Sequence, residues 1–462
     1  MFIRLLFLAS LFLLNTSCSG STVSRIEYQQ YKLDLSTIIE LPLKHNGWRQ
    51  ISSLDDICEK TIFMVESNYV VDTLVLPPKV ELHFCGGSLK GNIIFNDTYL
   101  SGSVNLHGSQ ISGSIKNNEF QAGWICHGDG VHDDAQSINQ ILAVCNNVRF
   151  NRGTYLLSSY HNPRNDLSSS HHKSVKSHIG IFRDNITLRG DEGASLLVKE
   201  PSAAICVYSL PDDIENSVKN VRIKGLAFRN ENDGKEFFEF FHTIKLIGSS
   251  DISISNCNFF DFWGDAISLS HYGDTPDTGE RTRNRRVVVR GNYIDGGNHN
   301  NRNGISIASG ENILVECNLF VETSRYNMPG SIDIEANNSA YTVKDIQIIN
   351  NQIQGCHGGL GSIGVVSNDK EAPAKNIIIK GNSISDSDRG ICLLIDSKKS
   401  TKLFKVIDNK FVKCKNPLIL RGSGSSEDWI IKKNNKNKKI QFSGNLEIKN
   451  FKTDAKLIKD NH

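Results

Sequence analysis

The sequence lacks three features that would point to common functional classes. Its apolar stretch at residues 5–14 is too short to cross a bilayer. Neither sign of charge prevails, since 52 Lys and Arg face 50 Asp and Glu for a net charge of +2, which argues against a nucleic-acid partner. The 11 cysteines form no C-x-x-C pair and no zinc pattern, so we predict neither a disulfide framework nor a zinc site.

The first eighteen residues have the form of a secretory signal. Arg4 precedes the apolar stretch, and small residues follow it. The segment LNTSC at residues 14–18 resembles a bacterial lipoprotein signal with Cys18 as the lipidated residue, although Asn15 departs from the usual apolar residue. We therefore expect an exported protein held to the cell envelope by a lipid on Cys18, at the outer-membrane surface or the periplasmic face. The alternative is simple secretion, with Cys18 lost.

A repeated eight-residue pattern, apolar-x-apolar-x-x-Asn-x-apolar, dominates residues 221–411. Its seven copies are VRIKGLAF, ISISNCNF, VVVRGNYI, ILVECNLF, IQIINNQI, IIIKGNSI and FKVIDNKF, of which the first two have Leu226 and Cys257 in place of the Asn. The copies recur every 26 to 35 residues, and a second short apolar strand follows each of the first six. Alternation within a fixed repeat predicts stacked coils with strands about 4.8 Å apart and Asn amides bonded from coil to coil. We predict an all-β fold, a right-handed parallel β-helix; a sandwich or propeller is the alternative.

A motif near residue 130 resembles a known superfamily. The segment GDGVHDDAQSINQIL is followed by RFNRGTYLL, and its apolar residues have helical spacing with Asp133 or Asp134 at the N-cap. This combination is similar to the N-terminal motif of the pectate-lyase-like superfamily, in its rhamnogalacturonase- and epimerase-like form. The resemblance implies a short capping helix over the N-terminal mouth of a right-handed β-helix. For Asp129, Asp133 and Asp134 we favour turn and cap roles over metal binding or catalysis.

The predicted domain order follows from these signals. Residues 1–18 are the signal, residues 19–125 contain the first irregular coils, residues 126–424 form the β-helix and residues 425–462 form a C-terminal cap.

The candidate catalytic residues lie in the segment SIDIEAN. If Ile332 and Ile334 face the core, Asp333 and Glu335 both project outward, separated by roughly 7 Å. Paired carboxyl groups at that distance suit inverting glycoside hydrolysis, in which one protonates the leaving oxygen and the other activates water. Asp265, two coils earlier, is the third candidate, in an assisting role.

Five residues are the predicted substrate contacts. They are Arg302, Asn303, His271, Arg389 and His357. The arginine-rich insertion at residues 271–286 suggests an acidic glycan. Residues 300–337 also resemble a stretch found in bacterial β-helix proteins that act on polysaccharides.

Three functions remain open from the sequence. The first is a hydrolase acting on a polysaccharide, and the second is a lyase on the same face. In the lyase a base such as His271, Arg302 or Arg389 would act while the carboxylates hold calcium, the one candidate cofactor. The third is a non-catalytic glycan-binding β-helix. The metal requirement is not determined by these patterns.

Overall fold

The structure is a computed structural model that describes residues 43, 45, 47–161, 176–208, 217–232, 237–270, 283–297, 301–336, 342–367, 374–434, 439–449 and 451–459. His271 and Cys18 lie outside these residues. The chain divides into two compact units, residues 1–109 with 113–117 and residues 110–112 with 118–462. No helix among the described residues is long and apolar enough to cross a membrane.

The first unit is built from short coils. Its strands are β1 (Arg49–Ile51), β2 (Thr61–Val65), β3 (Asn68–Val75), β4 (Val80–Phe84), β5 (Ser88–Gly102) and β6 (Gln110–Ile115). Strands β1, β2, β4 and β5 pair in parallel in that order, and β3 also pairs with β5. The buried residues Phe63, Leu82 and Leu100 share one register column, so apolar side chains stack from coil to coil.

The second unit consists of three parallel sheets, and from β9 to β28 each strand pairs with the strand three places further along the chain. Sheet 1 contains β7 (Phe120–Gln121), β9 (Asn147–Phe150), β12 (Thr187–Gly190), β15 (Lys219–Lys224), β18 (Ser250–Ser255), β21 (Asn284–Arg290), β24 (Gly310–Glu316), β27 (Val343–Ile349), β30 (Lys375–Lys380), β33 (Ile430–Lys432) and β35 (Lys452–Thr453). Sheet 2 contains β8 (Asp129–Asp133), β10 (Gly153–Leu157), β13 (Ala194–Val198), β16 (Ala227–Asn230), β19 (Asn258–Phe260), β22 (Tyr293–Asp295), β25 (Leu319–Val321) and β28 (Gln352–Gln354). Sheet 3 contains β11 (Ser177–Ile181), β14 (Ala203–Tyr208), β17 (Ile244–Ile247), β20 (Ile267–Ser270), β23 (Ile305–Ile307), β26 (Ile332–Ala336), β29 (Ile363–Ser367), β34 (Lys439–Lys449) and β36 (Lys456–Lys459).

Two long strands turn through the corners between sheets. They are β31 (Ser383–Ile407), which contributes to all three sheets, and β32 (Lys410–Glu427). The predicted parallel β-helix is confirmed by these pairings. Connections between neighbouring parallel strands are right-handed as a general rule, which is the predicted hand. Strands β33–β36 continue the sheets through the stretch predicted as a C-terminal cap.

The core of the second unit is a set of apolar columns. One column on sheet 1 joins Ile223, Ile254, Val289, Val315, Ile348, Ile379 and Val406, each at most 1% exposed. Burying one such side chain stabilises the fold by about 1.5–3 kcal/mol. The apolar positions of the alternating pattern are therefore the positions whose side chains point into the core.

The predicted asparagine ladder is present and runs one coil further than expected. It joins Asn292, Asn318, Asn351, Asn382, Asn409 and Asn434. Asn351 is typical: its Nδ2 donates to Asn382 Oδ1 and to Val315 O, both at 3.0 Å. The ladder therefore provides hydrogen-bond partners for the backbone N–H and C=O groups that turn away from the sheets at this corner.

The single α-helix described, α1 (Ala135–Val144), begins where the motif predicts. Asp133 accepts hydrogen bonds from the backbone N–H of Ala135 (3.2 Å) and Ser158 (2.9 Å). Asp134 occupies the N-cap position, but its carboxylate accepts from the two residues before Asp129 instead. These carboxylates therefore have the turn and cap roles that we favoured from the sequence. The one that bonds to the helix is Asp133, not Asp134.

Candidate active site

Sheet 3 carries the candidate residues in one register. Lys245, Ser268, Ser306 and Asp333 are paired in succession on β17, β20, β23 and β26. On β26 the side chains of Ile332 and Ile334 point into the core and are fully buried. Asp333 therefore projects to the other side of the sheet, as predicted. It is nevertheless 0% exposed.

Arg302 is the centre of the site. Its Nη1 lies 3.1 Å from Asp265 Oδ2, and its Nη2 lies 3.3 Å from Glu335 Oε2 and 3.7 Å from Asp333 Oδ2. Its Nε lies 3.4 Å from Glu239 Oε1. We call these five residues the arginine cluster. The surrounding carboxylates, Asp265 first, raise the pKa of Arg302 although burial opposes this. The guanidinium therefore stays charged and holds the four carboxyl groups together.

Asp265 is buried and heavily hydrogen-bonded. It accepts from Ser306 Oγ (2.5 Å), from the backbone N–H of Asn303 (3.1 Å) and from Arg302. Burial raises its pKa, while Arg302 and Ser306 act in the opposite direction. These contacts fix the carboxyl group in one orientation, which suits a positioning role more than direct contact with a substrate.

His242 closes the buried side of the cluster. Its Nδ1 lies 3.1 Å from Asp265 Oδ2 and also 3.1 Å from the Asp265 backbone nitrogen. Burial lowers the pKa of His242 well below its usual value, and the cations Lys245 and Arg302 act in the same direction. The imidazole is therefore neutral at ordinary pH and accepts the backbone N–H through Nδ1.

Asp333 has the properties of a proton-holding group. Burial raises its pKa well above the usual range, the neighbouring Glu335 carboxyl adds to this, and Arg302 opposes it. Its Oδ2 accepts from Asn303 Nδ2 at 3.5 Å, whereas its Oδ1 has no hydrogen-bond partner among the described residues. Glu335 is more accessible, with 22% of its side chain exposed. The pair thus combines a buried carboxyl group with a raised pKa and a carboxyl group that solvent reaches.

The predicted substrate contacts divide into two groups. Arg302 is the centre of the arginine cluster and Asn303 is hydrogen-bonded to it, but both are occupied: Asn303 is fully buried and also accepts the Gly330 N–H at 3.2 Å. The substrate contact predicted for Arg302 stays a prediction, and in this structure its three guanidinium nitrogens lie 3.1–3.4 Å from carboxyl groups of the chain itself. His357 Nδ1 lies 3.4 Å from Asp388, and Arg389 donates to the carbonyl of Gly359.

Four residues of the site were not predicted: His242, Lys245, Glu239 and Ser306 as a partner of Asp265. Two of them could have been found from the sequence. Extending the alignment of the second strands to the preceding coil places Lys245 beside Ser268 and His242 beside Asp265. Burial lowers the pKa of Lys245, while nearby Cys206 and Asp265 act against this. Glu239 lies in a loop, where register gives no signal.

The question of a metal concerns the same carboxyl groups. Within the described ranges no group of three or more His, Cys, Asp or Glu side chains is arranged to hold a metal ion. The carboxyl groups of the arginine cluster converge on a guanidinium. Calcium therefore stays a prediction of the sequence, tied to the lyase alternative.

Comparisons with solved structures show similar folds at low identity. The A-module of the mannuronan C-5 epimerase AlgE6 from Azotobacter vinelandii is 13% identical, with 74% of this chain and 96% of that chain covered and a TM-score of 0.48. PfbA, a surface adhesin of Streptococcus pneumoniae, is 14% identical over 74% of this chain and 94% of that chain, with a TM-score of 0.46. The endo-xylogalacturonan hydrolase from Aspergillus tubingensis is 13% identical, covering 74% and 95% at a TM-score of 0.37.

No protein-family profile and no curated protein sequence matches this chain. The parallel β-helix is shown by the strand pairings, and the resemblance to the pectate-lyase-like superfamily stays an expectation from the motif near residue 130. At such identities the reaction must be argued from the site itself.

Proposed function

We propose that this protein acts on polysaccharides and hydrolyses a glycosidic bond at the arginine cluster. The observation that carries the proposal is the pairing on one strand of a fully buried Asp333, whose pKa is raised by burial and by the Glu335 carboxyl group, with a more exposed Glu335. Two carboxyl groups whose surroundings differ in this way can divide the acid and base roles between them.

In the proposed reaction Asp333 supplies the proton that the leaving sugar oxygen takes up. Glu335 removes a proton from the attacking water, whose oxygen bonds to the anomeric carbon as the glycosidic bond breaks. The two residues alternate with Ile334 along β26, and Asp333 Oδ2 and Glu335 Oε2 lie 3.7 Å and 3.3 Å from the same nitrogen, Arg302 Nη2, so the two carboxyl groups act as one closely interacting pair. Arg302 holds both groups, and Asp265 and His242 fix Arg302 from the buried side.

A lyase would need a base that can lose its proton, and Arg302 does not meet this need. The four carboxyl groups around it raise its pKa, so it remains a cation. His271, another candidate base, lies outside the described residues, and Arg389 is engaged by a carbonyl group. The geometry therefore favours hydrolysis over elimination at this site.

The proposal keeps the export and the Cys18 lipid anchor expected from the sequence. A Cys18→Ala chain should then leave the detergent-rich phase in a partition experiment, while the unchanged chain enters it.

The test uses the mature chain against a panel of neutral and acidic polysaccharides, with and without chelator. We expect reducing ends to appear without ultraviolet absorbance, and both Asp333→Asn and Glu335→Gln to slow their release by about 10²-fold or more. Asp251→Asn, which removes a carboxylate from an exposed ion pair with Arg286, is the matched control and should retain full activity.

The pH profile gives a second measurement on the same variants. Because the acid form of Asp333 is required, the rate should fall as the pH rises through its raised pKa. Full activity in both carboxyl variants would contradict the assignment. Ultraviolet-absorbing products lost on chelation would point to a calcium lyase, and binding without any product to a non-catalytic β-helix.

A further inference from the structure

We infer that the sugar bound at the arginine cluster is uncharged and is held by the ring faces of Phe240 and Tyr326. The inference rests on the proposed function and names the substrate class of that same site. Two observations carry it: exposed aromatic side chains beside the cluster, and the absence of an uncommitted cation within it among the described residues.

The first aromatic side chains belong to the segment 237–241, with the sequence FFEFF. Its central residue, Glu239, contacts Arg302 Nε, and the carbonyl of Phe241 accepts the Gly264 N–H at 3.0 Å, one residue before Asp265. The segment is thus anchored to the cluster at two points. Phe240 is nevertheless 75% exposed and Phe241 is 36% exposed.

Tyr326 lies on a later coil and follows Arg325, which joins that coil to the cluster. The Arg325 N–H donates to Asn301 O at 3.1 Å, next to Arg302, and the Arg325 guanidinium lies 4.5 Å from the ring centre of Phe237. The two aromatic segments therefore meet beside the cluster. Tyr326 is 75% exposed. We call Phe240, Phe241 and Tyr326 the aromatic rim.

Exposed aromatic side chains next to a polar site suit a ligand with one apolar and one polar side. A sugar ring has C–H groups on its faces and hydroxyl groups at its edge, so it can pack on the aromatic rim while its hydroxyl groups reach the carboxyl groups. Because Phe240 is 75% exposed, its ring contributes little buried apolar surface to the core of its own chain.

The charges of the cluster argue against an anionic sugar. All three nitrogens of the Arg302 guanidinium face carboxyl groups of the chain itself, and the accessible carboxyl groups Glu335 and Glu239 would repel a uronate or sulfate.

The basic residues that suggested an acidic glycan are also engaged. Arg283 pairs with Glu311 at 3.1 Å, and Arg286 pairs with Asp251 at 2.6 Å. Further along the sheet, His357 faces Asp388. Arg285, the third arginine described in residues 271–286, also acts on Glu311, so the acidic glycan expected from this insertion loses support at the arginines described.

The experiment measures binding of the full mature chain carrying Glu335→Gln, which prevents turnover, by affinity electrophoresis. The probes are galactan, xylan and mannan against polygalacturonate, alginate and chondroitin sulfate. We expect retardation by a neutral glycan that persists in high salt, and about threefold to tenfold weaker binding for Phe240→Ala and for Tyr326→Ala. Phe182→Ala removes an aromatic side chain of 44% exposure after β11 and should bind as before.

The outcomes separate this inference from the proposed function. Cleavage of polygalacturonate that is lost in Glu335→Gln would support the hydrolase and overturn the uncharged substrate. Neutral glycan binding that depends on the aromatic rim, with no cleavage by the unmodified chain, would support the rim and overturn the hydrolase. Unchanged binding in both rim variants, or self-association abolished by them, would overturn the sugar-stacking role.

Discussion

Arg302 shows at the residue scale how a buried charge is accommodated. Fully buried carboxyl groups are costly unless a cation or hydrogen bonds compensate them. Asp265 and Asp333 share that cation, and the two differ in what else they receive: three donors converge on Asp265, whereas Asp333 Oδ1 has none among the described residues. This asymmetry is why we assign the proposed acid role to Asp333.

Replacing Arg302 by Met should therefore destabilise the protein strongly. Asp265, Asp333 and Glu335 would lose their shared cation, and we expect a loss of about 3–5 kcal/mol in the free energy of unfolding at pH 7. The measurement is urea denaturation.

The control is Arg286→Met, which breaks an exposed pair with Asp251 and should cost less than about 1 kcal/mol. In Arg302→Met the buried carboxyl groups would have pKa values above those of the unfolded chain. Native stability should then recover as the pH falls, because the native state retains protons that the unfolded state releases. Equal losses in the two variants, independent of pH, would contradict this account.

The asparagine ladder is the feature that matters at the scale of the element. Each amide replaces hydrogen bonds that the turning backbone cannot make within a sheet, and each depends on the coils before and after it. The ladder therefore links coils of unequal length at a fixed corner.

Asn351→Ala tests this link in the interior of the ladder. The change removes the acceptor of the Asn318 backbone N–H and side chain and the donor to Val315 O. Leaving buried groups unpaired should cost roughly 3 kcal/mol or more in unfolding free energy.

Gln347→Ala removes an amide from an exposed position on the adjacent strand β27 and should change stability by less than about 0.5 kcal/mol. Thermal and urea unfolding of the two variants side by side would decide. A loss as small in Asn351→Ala as in Gln347→Ala would show that the ladder is incidental.

At the scale of the second unit, stability is shared between neighbouring coils. Each strand pairs only with its equivalents one coil before and after, so a defect acts locally and then spreads from coil to coil. The C-terminal coils are supported by Trp429, which is fully buried and lies 4.8 Å from Phe404 between ring centres.

Trp429→Ala should thus weaken the C-terminal coils first. A cavity of this size costs about 3–5 kcal/mol, and hydrogen exchange should accelerate in β33–β36 more than in β9 and β12. The exposed Tyr326→Ala variant is the control and should leave exchange in these strands unchanged. Uniform acceleration over the whole unit would instead show that it unfolds as one cooperative body.

The sequence by itself determined the coils, because alternation of apolar residues and a fixed Asn position are local patterns that report which side of each strand is inward. It also determined that Asp265, Asp333 and Glu335 belong to one face, since register follows from the repeat. Only the tertiary structure decided that Asp333 is buried, that Arg302 is saturated by its own carboxyl groups, and that Glu239 and His242 join them. Burial and ion pairing depend on loops that cross from other coils, and no local pattern carries that information.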